Sequence, residues 1–463
     1  MRYFHSVRLI ESKCKGCVSC IKRCPTEAIR VRDGKASILE ERCIDCGECV
    51  RTCPNKAKEV LADQLEAMKK FKHNVALPAP ALYGQFREGT DPKRVLSALL
   101  SLGFDDVLDV AFAAQLVAVK SREIIEESTI RPLISSACPA VLRLIQVRFP
   151  NLIEHLTPLV SPMRAAARLA REEIMVKTGL KEDEIGVFFI TPCPAKVSAI
   201  NEPAGFLRSY VDGAIPISAV FPLVQDALSH GKVTEKPPLR YGSRLGIGWA
   251  RAGGENQSIA VDKHLAVDGI HNVIDILENV ERGKLFDMQY IEAQACIGGC
   301  VGGVLTVENS FITRRRVRII ACEDEKQILT AEEEALIDEG LSKEHIYRFD
   351  KPITPRPTLK LDDDMGQAIK KLAAIERMVE NLPGLDCGSC GSPTCQSLAE
   401  DVVRGLASET DCVFKLRERV QLLAEELMQA AAAIPGSMGA TGKKTEQNGT
   451  AQADQGTKPE TAS

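Results

Sequence analysis

Short apolar runs alternate with longer amphipathic stretches through the middle of this chain. Between residues 74 and 350, FDDVLDVAF, RPLISSACP, EIGVFFITPCP and MQYIEAQACIGGC each pass from an apolar run into a polar or Cys-bearing loop. VLSALLSLG, MRAAARLAREEIMVK and FPLVQDALSHG space their apolar residues as helices do. Strand followed by helix, repeated, predicts an α/β domain over 74–350. Three of the strand ends carry a cysteine (Cys138, Cys193 and Cys296), and strand carboxyl ends are where α/β folds place their sites.

On the N-terminal side, residues 1–58 form a small α+β unit. IRVRDGKASILEER within it predicts strand, Asp33-Gly34 turn, strand. The charged segment KEVLADQLEAMKKFKH predicts a connecting helix over 59–73. On the C-terminal side, KPITPRPTLKLDDD (351–364) is Pro-rich and then acidic, as linkers are. Residues 365–412 form a third, small helical unit. An amphipathic helix is expected over 413–433, with Val413, Leu416, Val420, Leu423 and Leu427 making a short heptad-like seam. The segment 434–463 has almost no large apolar residue and is expected to be disordered.

Length and charge exclude several functions. A chain of 463 residues exceeds one ordinary core, and the formal charge of -4 with no Lys/Arg block gives no nucleic-acid footprint. No run of about 18 apolar residues suggests a membrane span, and MRYFHSVRLIESKCKGC has no apolar core for a secretory signal. A cytoplasmic setting is therefore expected, where disulfides are rare. Yet the chain has 17 cysteines, mostly in tight groups. Metal or redox chemistry is the better reading. Zinc is disfavoured because none of the 7 histidines lies in a Cys group.

Two groups share one spacing, C-x2-C-x2-C-x3-C-P: Cys14, Cys17, Cys20, Cys24 and Cys43, Cys46, Cys49, Cys53. It places soft thiolates where two iron-sulfur cubes can be wrapped, the fourth Cys of each run ligating the other cube. This unit resembles a bacterial two-cluster 4Fe-4S ferredoxin. Cys14, Cys17, Cys20 and Cys53 would hold one cube, and Cys43, Cys46, Cys49 and Cys24 the other. In the third unit, DCGSCGSPTC supplies Cys387, Cys390 and Cys395, with Cys412 further on. It resembles the small 4Fe-4S domain of corrinoid iron-sulfur proteins and of membrane electron-transport complexes. A four-Cys zinc knuckle is the alternative.

SSACPA, TPCPAKVSA and EAQACIGGCVGG carry four of the remaining cysteines. Their order and Cys spacing resemble the catalytic domain of iron-only (FeFe) hydrogenases, whose motifs are T-S-C-C-P-x-W, M-P-C-x-x-K-x-x-E and E-x-M-x-C-x-G-G-C-x-x-G-G-G. The resemblance implies the hydrogenase H-cluster fold. It implies an H-cluster: a 4Fe-4S cube on Cys138, Cys193, Cys296 and Cys300, with Cys300 bridging to a two-iron unit carrying CO, CN and a dithiolate. Lys196 would hydrogen-bond a cyanide, and Gly298 and Gly299 would leave room for the cube. Cys322, after the strand-like VRIIA, is expected in the core.

Departures from that pattern narrow the function. Ala137 stands where the family has a proton-relaying Cys. Ala199 replaces a carboxylate of the same route, Thr191 and Gln294 replace two Met residues around the cofactor, and the motif Trp is absent. The ligands are kept while the proton path is altered. The combination resembles the sensory or regulatory branch of that family and implies a slow hydrogenase-type oxidoreductase. It would pass electrons from hydrogen through three 4Fe-4S clusters to a redox partner such as ferredoxin, with 413–430 as a contact for a signalling-output protein. Two alternatives stay open: a non-catalytic iron-sulfur carrier or assembly protein without the two-iron unit, and an ordinary ferredoxin-linked hydrogenase.

Overall fold

The computed structural model describes residues 3–234, 236–322, 331–356 and 360–433, so the segment expected to be disordered lies outside it. The chain divides into two compact units, Met1–Ala407 and Ser408–Ser463.

The leading part of the first unit is a pseudo-repeat. β1 (Val7–Leu9) pairs antiparallel with β4 (Lys58–Val60), and between them β2 (Ile29–Arg32) and β3 (Lys35–Ile38) form a hairpin. Asp33 (φ 50°) and Gly34 (φ 71°) make its two-residue turn. Both need positive φ, which the Asp-Gly pair supplies at little cost. Two one-turn helices, Ser19–Lys22 and Glu48–Arg51, carry Cys20 and Cys49 at equivalent places. Cys24 Sγ accepts the Ala28 N–H at 3.2 Å, and Cys53 Sγ accepts the Ala57 N–H at 3.2 Å.

The expected helix over 59–73 does not form. Residues Lys58–Val60 are strand β4, and a 3-10 helix covers only Leu65–Lys70. Asp63 explains the break. Its N–H donates to Ala214 O at 2.9 Å and its carboxylate accepts the Ala214 N–H at 2.8 Å. These bonds extend the chain, and tertiary pairing overrides helix propensity.

The central domain is built on two parallel sheets. One has the order β6 (Asp106–Val107), β5 (His73–Pro78), β8 (Ile185–Thr191), β9 (Gly213–Pro216). The other has the order β10 (His264–Asp268), β11 (Tyr290–Gln294), β7 (Leu133–Ile134). Every residue of β8 is buried. Val187 and Phe189 face one core while Phe188 and Ile190 face another. A sheet covered on both sides reads as the unbroken apolar run GVFFI rather than as an alternation.

Two further expectations change. VRIIAC ends a helix, Ser310–Cys322, that buries Thr313, Val317 and Ala321 and leaves Cys322 exposed. Apolar residues three or four apart in an Arg-rich stretch fit that helix, not a strand. The proposed linker is held down as well. Arg356 N–H donates to Gln146 O at 2.9 Å, and its guanidinium lies 3.8 Å from the Tyr3 ring centroid.

The helices Met365–Asn381 and Cys395–Val403 complete the first unit, capped by Asp364 and Thr394 side chains. In the second unit a Ser408/Asp411 capping box precedes the helix Val413–Ala432. The seam residues Val413, Leu416, Val420, Leu423 and Leu427 are exposed. Among the described residues no helix is long and apolar enough to cross a membrane.

Candidate functional site

The site is assembled by three strand-to-helix or strand-to-loop turns. Past β7, Cys138 is the N-cap of the helix Pro139–Arg148; past β8, Cys193 is the N-cap of the helix Pro194–Asn201. Proline at the first helical position has no N–H to leave unpaired. The free N–H groups and the dipole of a helix start also favour negative charge there, so C-P at these points suits a thiolate. Past β11, the turn Cys296–Cys300 contains Gly298 (φ 86°) and Gly299 (φ 92°). A methyl on Gly299 would overlap Gln294 Oε1 and lie 2.6 Å from Ala252 N, so only glycine fits.

Cys138, Cys193, Cys296 and Cys300 line one cavity. Ala137, Lys196, Gln294, Gly299 and Glu255 share its wall. The four cysteines are free thiols, and the exposed surface of Cys300 faces this cavity. Burial, then the charges of neighbouring sulfurs, pushes Cys193 up to about 11 and Cys300 up to about 12, and Cys296 well above the usual thiol range. Such a cluster ionises when a cation takes the charge, which iron does. Trp249 Nε1 and Gln294 Oε1 on the same wall are buried without a partner among the described residues. Four convergent soft donors, a glycine-cleared floor and unpartnered polar atoms fit an iron-sulfur group.

Lys196 Nζ donates to Ala137 O at 3.0 Å. Burial lowers its pKa, opposed by the charges of Cys300, Cys193 and Cys138. Thr191 stands behind the wall: fully buried, its Oγ1 accepts the Cys193 N–H at 3.1 Å and braces that turn. Gly298 also lies off the cavity, its N–H donating to Asp268 Oδ2 at 2.5 Å. Ala199 opens onto a neighbouring cavity shared with Ala137, Arg143, Arg164 and Glu202.

A pair of buried acids escaped the sequence reading. Glu255 accepts the Ser135 hydroxyl at 2.8 Å and also the Tyr290 hydroxyl. Glu292 accepts the N–H groups of Gly253 at 2.8 Å and Asn256 at 2.9 Å. Burial is the largest cause that lifts Glu255 to about 7 and Glu292 to about 8. Tight packing of Gly254 against Gly248 sets the turn that presents Glu255. The adjacent Gly253-Gly254 pair was the available signal.

Cys24, Cys43, Cys46 and Cys49 line a second cavity in the leading domain. Cys46 lines both cavities. Cys14 packs against the small apolar cluster that contains Cys20 and Ile21. Asp45, fully buried next to Cys46, accepts from Arg143 at 3.1 Å and from Ser198 at 2.7 Å, tying the two domains together. In the C-terminal part, Cys387 is exposed and Cys395 opens the helix Cys395–Val403, its N–H donating to Asp386 at 2.6 Å. Cys412 falls in the second unit, as the N-cap of the helix Val413–Ala432.

Comparison with known proteins finds both family matches and relatives. A 4Fe-4S dicluster domain family matches residues 6–54, and an Fe-S cluster family matches 382–414. Iron hydrogenase 1 of Clostridium pasteurianum is 23% identical over 285 residues, covering 50% of each chain. The periplasmic Fe hydrogenase large subunit of Nitratidesulfovibrio vulgaris is 31% identical over 212 residues, 42% of this chain and 50% of that one. This chain thus spans half the length of both relatives. The cytosolic Fe-S cluster assembly factor NAR1 of Yarrowia lipolytica is 24% identical over 121 residues, 26% of this chain and 25% of that one. A solved FeFe-hydrogenase, HydA1 of Chlamydomonas reinhardtii, superposes with a TM-score of 0.48 at 17% identity, over 63% of this chain and 98% of that one. The family model for the iron only hydrogenase large subunit, C-terminal domain, matches residues 72–260 and 250–304, the stretch that bears the four-cysteine cavity, and the chain belongs to that family.

Proposed function

We propose that this chain is a slow hydrogenase-type redox protein that senses hydrogen or redox state rather than turning hydrogen over rapidly. One observation carries the reading: four thiols and Lys196 meet in a cavity whose wall at position 137 is a methyl group. An H-cluster bound there, held by Cys138, Cys193, Cys296 and Cys300, would supply hydrogen binding and splitting at iron.

The protein's own groups have separate tasks. Lys196, anchored on Ala137 O, presents its amino group at the cavity wall, where it can hydrogen-bond an anionic ligand. Gln294 and Gly299 shape the floor. Ala137 cannot accept or release a proton, so the acid nearest the cavity is Glu255, tied through Ser135 to the Ala137 loop. Electrons would leave through the wall carrying Cys46, which the cube on Cys24, Cys43, Cys46 and Cys49 shares. The second cube would sit on Cys14, Cys17, Cys20 and Cys53. The C-terminal cube would use Cys387, Cys390, Cys395 and Cys412, all within the matched 382–414 segment. The electron acceptor would be a ferredoxin-like protein, and the exposed helix Val413–Ala432 is the contact for an output protein.

A second reading, an iron-sulfur carrier lacking the two-iron unit, has the partial likeness to the assembly factor in its favour. Infrared spectroscopy after anaerobic maturation separates the two. Bands of metal-bound CO and CN, with measurable but slow hydrogen turnover, are the expected result. Fully matured protein without those bands refutes the hydrogenase reading, and fast turnover refutes the sensory one.

A further inference from the structure

We propose that the C-terminal iron-sulfur unit is the outer terminus of a single-file electron wire. Buried Asp401 docks it on the β2–β3 hairpin of the leading domain, with the Cys387 turn against the Cys17/Cys20 end. The proposal rests on the reading of the cysteine groups as cluster ligands, but not on the two-iron unit.

The two ends of the leading domain face different neighbours. The Cys46 end meets the central domain. A methyl on Gly47 would lie 3.1 Å from Val304 Cγ1 and 3.4 Å from Pro194 Cγ, and Arg51 donates to Gly302 O at 2.8 Å. The C-terminal unit lies along the other side: its Cys387 turn meets the Cys17–Cys20 end, while Ser397 and Glu400 bond Glu27 and Arg42 near Cys24 and Cys43. A methyl on Gly388, next to Cys387, would lie 3.3 Å from Ile21 Cδ1 and 3.4 Å from Lys22 Cδ. Lys22 Nζ donates to Pro393 O at 3.1 Å and also to Asp386 O. The Cys387 turn thus packs directly on the short helix that carries Cys20.

The attachment is specific. Val31 N–H donates to Gly391 O at 2.8 Å, and any Cβ on Gly391 would overlap Val31 O. Asp401 is 4% exposed and takes Arg30 Nε at 2.5 Å, Arg30 Nη2 at 3.1 Å, Arg32 Nη2 at 3.0 Å and Ser392 Oγ at 3.0 Å. Arg32 also donates to Cys390 O at 2.7 Å. One carboxylate thus fixes both hairpin arginines and, through Arg32, the backbone of the cysteine loop. Buried, bidentate, charge-assisted bonds define orientation as well as contact. Asp401 touches no cysteine, so it is a positioning residue. The order of centres is then central cavity, Cys24/Cys43/Cys46/Cys49, Cys14/Cys17/Cys20/Cys53, Cys387/Cys390/Cys395. Cys387, exposed, places the last centre where a partner protein can reach it.

The test is electron paramagnetic resonance of the full-length, anaerobically purified, chemically reduced protein. Cys387→Ala should lower iron content and remove one reduced-cluster signal. In the parent chain that signal should be split or broadened by a neighbouring cluster. Cys17→Ser should abolish the interaction, and Cys46→Ser should leave it intact. Asp401→Asn should keep the iron yet weaken the interaction, a change that mere loss of stability does not produce. An interaction that survives Cys17→Ser, or one lost only in Cys46→Ser, overturns the wire order. An unchanged spectrum and iron content in Cys387→Ala overturns the terminal cluster itself. Should Asp401→Asn not fold, the two cysteine variants still decide the order. None of these readouts depends on CO or CN bands, so this proposal and the hydrogenase reading fail separately.

Discussion

Restoring a thiol at position 137 is the sharpest probe of the proton argument. Ala137 lines the central cavity beside Cys138. Its N–H donates to Ser135 Oγ at 3.2 Å, Ser135 donates to Glu255 at 2.8 Å, and Lys196 holds its carbonyl at 3.0 Å. The loop is therefore already fixed, and Ala137→Cys adds one sulfur to a wall with space in front of it. A positioned acid-base group is commonly worth about 10²–10⁴ in rate, or about 2.7–5.5 kcal/mol of barrier. The gain should lie at the lower end, near 10², because residue 199 is still a methyl. Ala199 opens onto the adjoining cavity between Arg143 and Arg164, where a carboxylate would be well compensated. Ala137→Cys/Ala199→Glu should therefore exceed the single variant. The assay is dye-linked hydrogen evolution, normalised to the CO and CN band intensity of each preparation. Equal rates per loaded site in parent and both variants would refute the reasoning and make another departure the bottleneck.

Gly299→Ala places a methyl into Gln294 Oε1 and the Ala252 backbone at φ 92°. Overpacking with backbone strain costs about 1–3 kcal/mol; iron analysis should show selective loss of the central cluster while the leading cubes persist. Glu255 and Glu292 give a pH dependence. Their folded pKa values, about 7 and about 8, lie above the ordinary 4.5, so folding favours the neutral acids. Stability is highest below the unfolded value and is lost as pH rises through the folded ones, by a few kcal/mol, at about 1.36 kcal/mol per pKa unit. Thermal melts should fall between pH 5 and 9, and Glu292→Gln should flatten that slope; a slope unchanged in the variant would rule out this carboxyl as its source.

The cysteine groups were legible because their spacing is local. The duplicated C-x2-C-x2-C-x3-C-P runs and the C-P helix starts at Cys138 and Cys193 encode their geometry within a few residues. The GVFFI run of β8 announced a doubly covered strand in the same way. What stayed hidden depends on partners distant in the chain. Asp63 breaks the expected helix only because Ala214 lies beside it. Thr191 fills the place of a cofactor-facing residue, yet its hydroxyl turns back on Cys193. Glu255 looks like a surface acid in GGENQS until Ser135 and Tyr290 close over it. Asp401, 371 residues from Arg30 along the chain, leaves no local trace at all.

Cys46 belongs to the wall of two chambers at once, which has a bearing on how the molecule matures. A cluster bound by the Cys43–Cys49 turn would fix the side of the inner chamber that Cys46 forms. Filling of the small leading domain should then precede insertion at the centre, and a chain stripped of its leading irons should refuse the inorganic core even when the insertion machinery is supplied. Uptake at an undiminished level by such a chain would show that the shared wall is no gatekeeper.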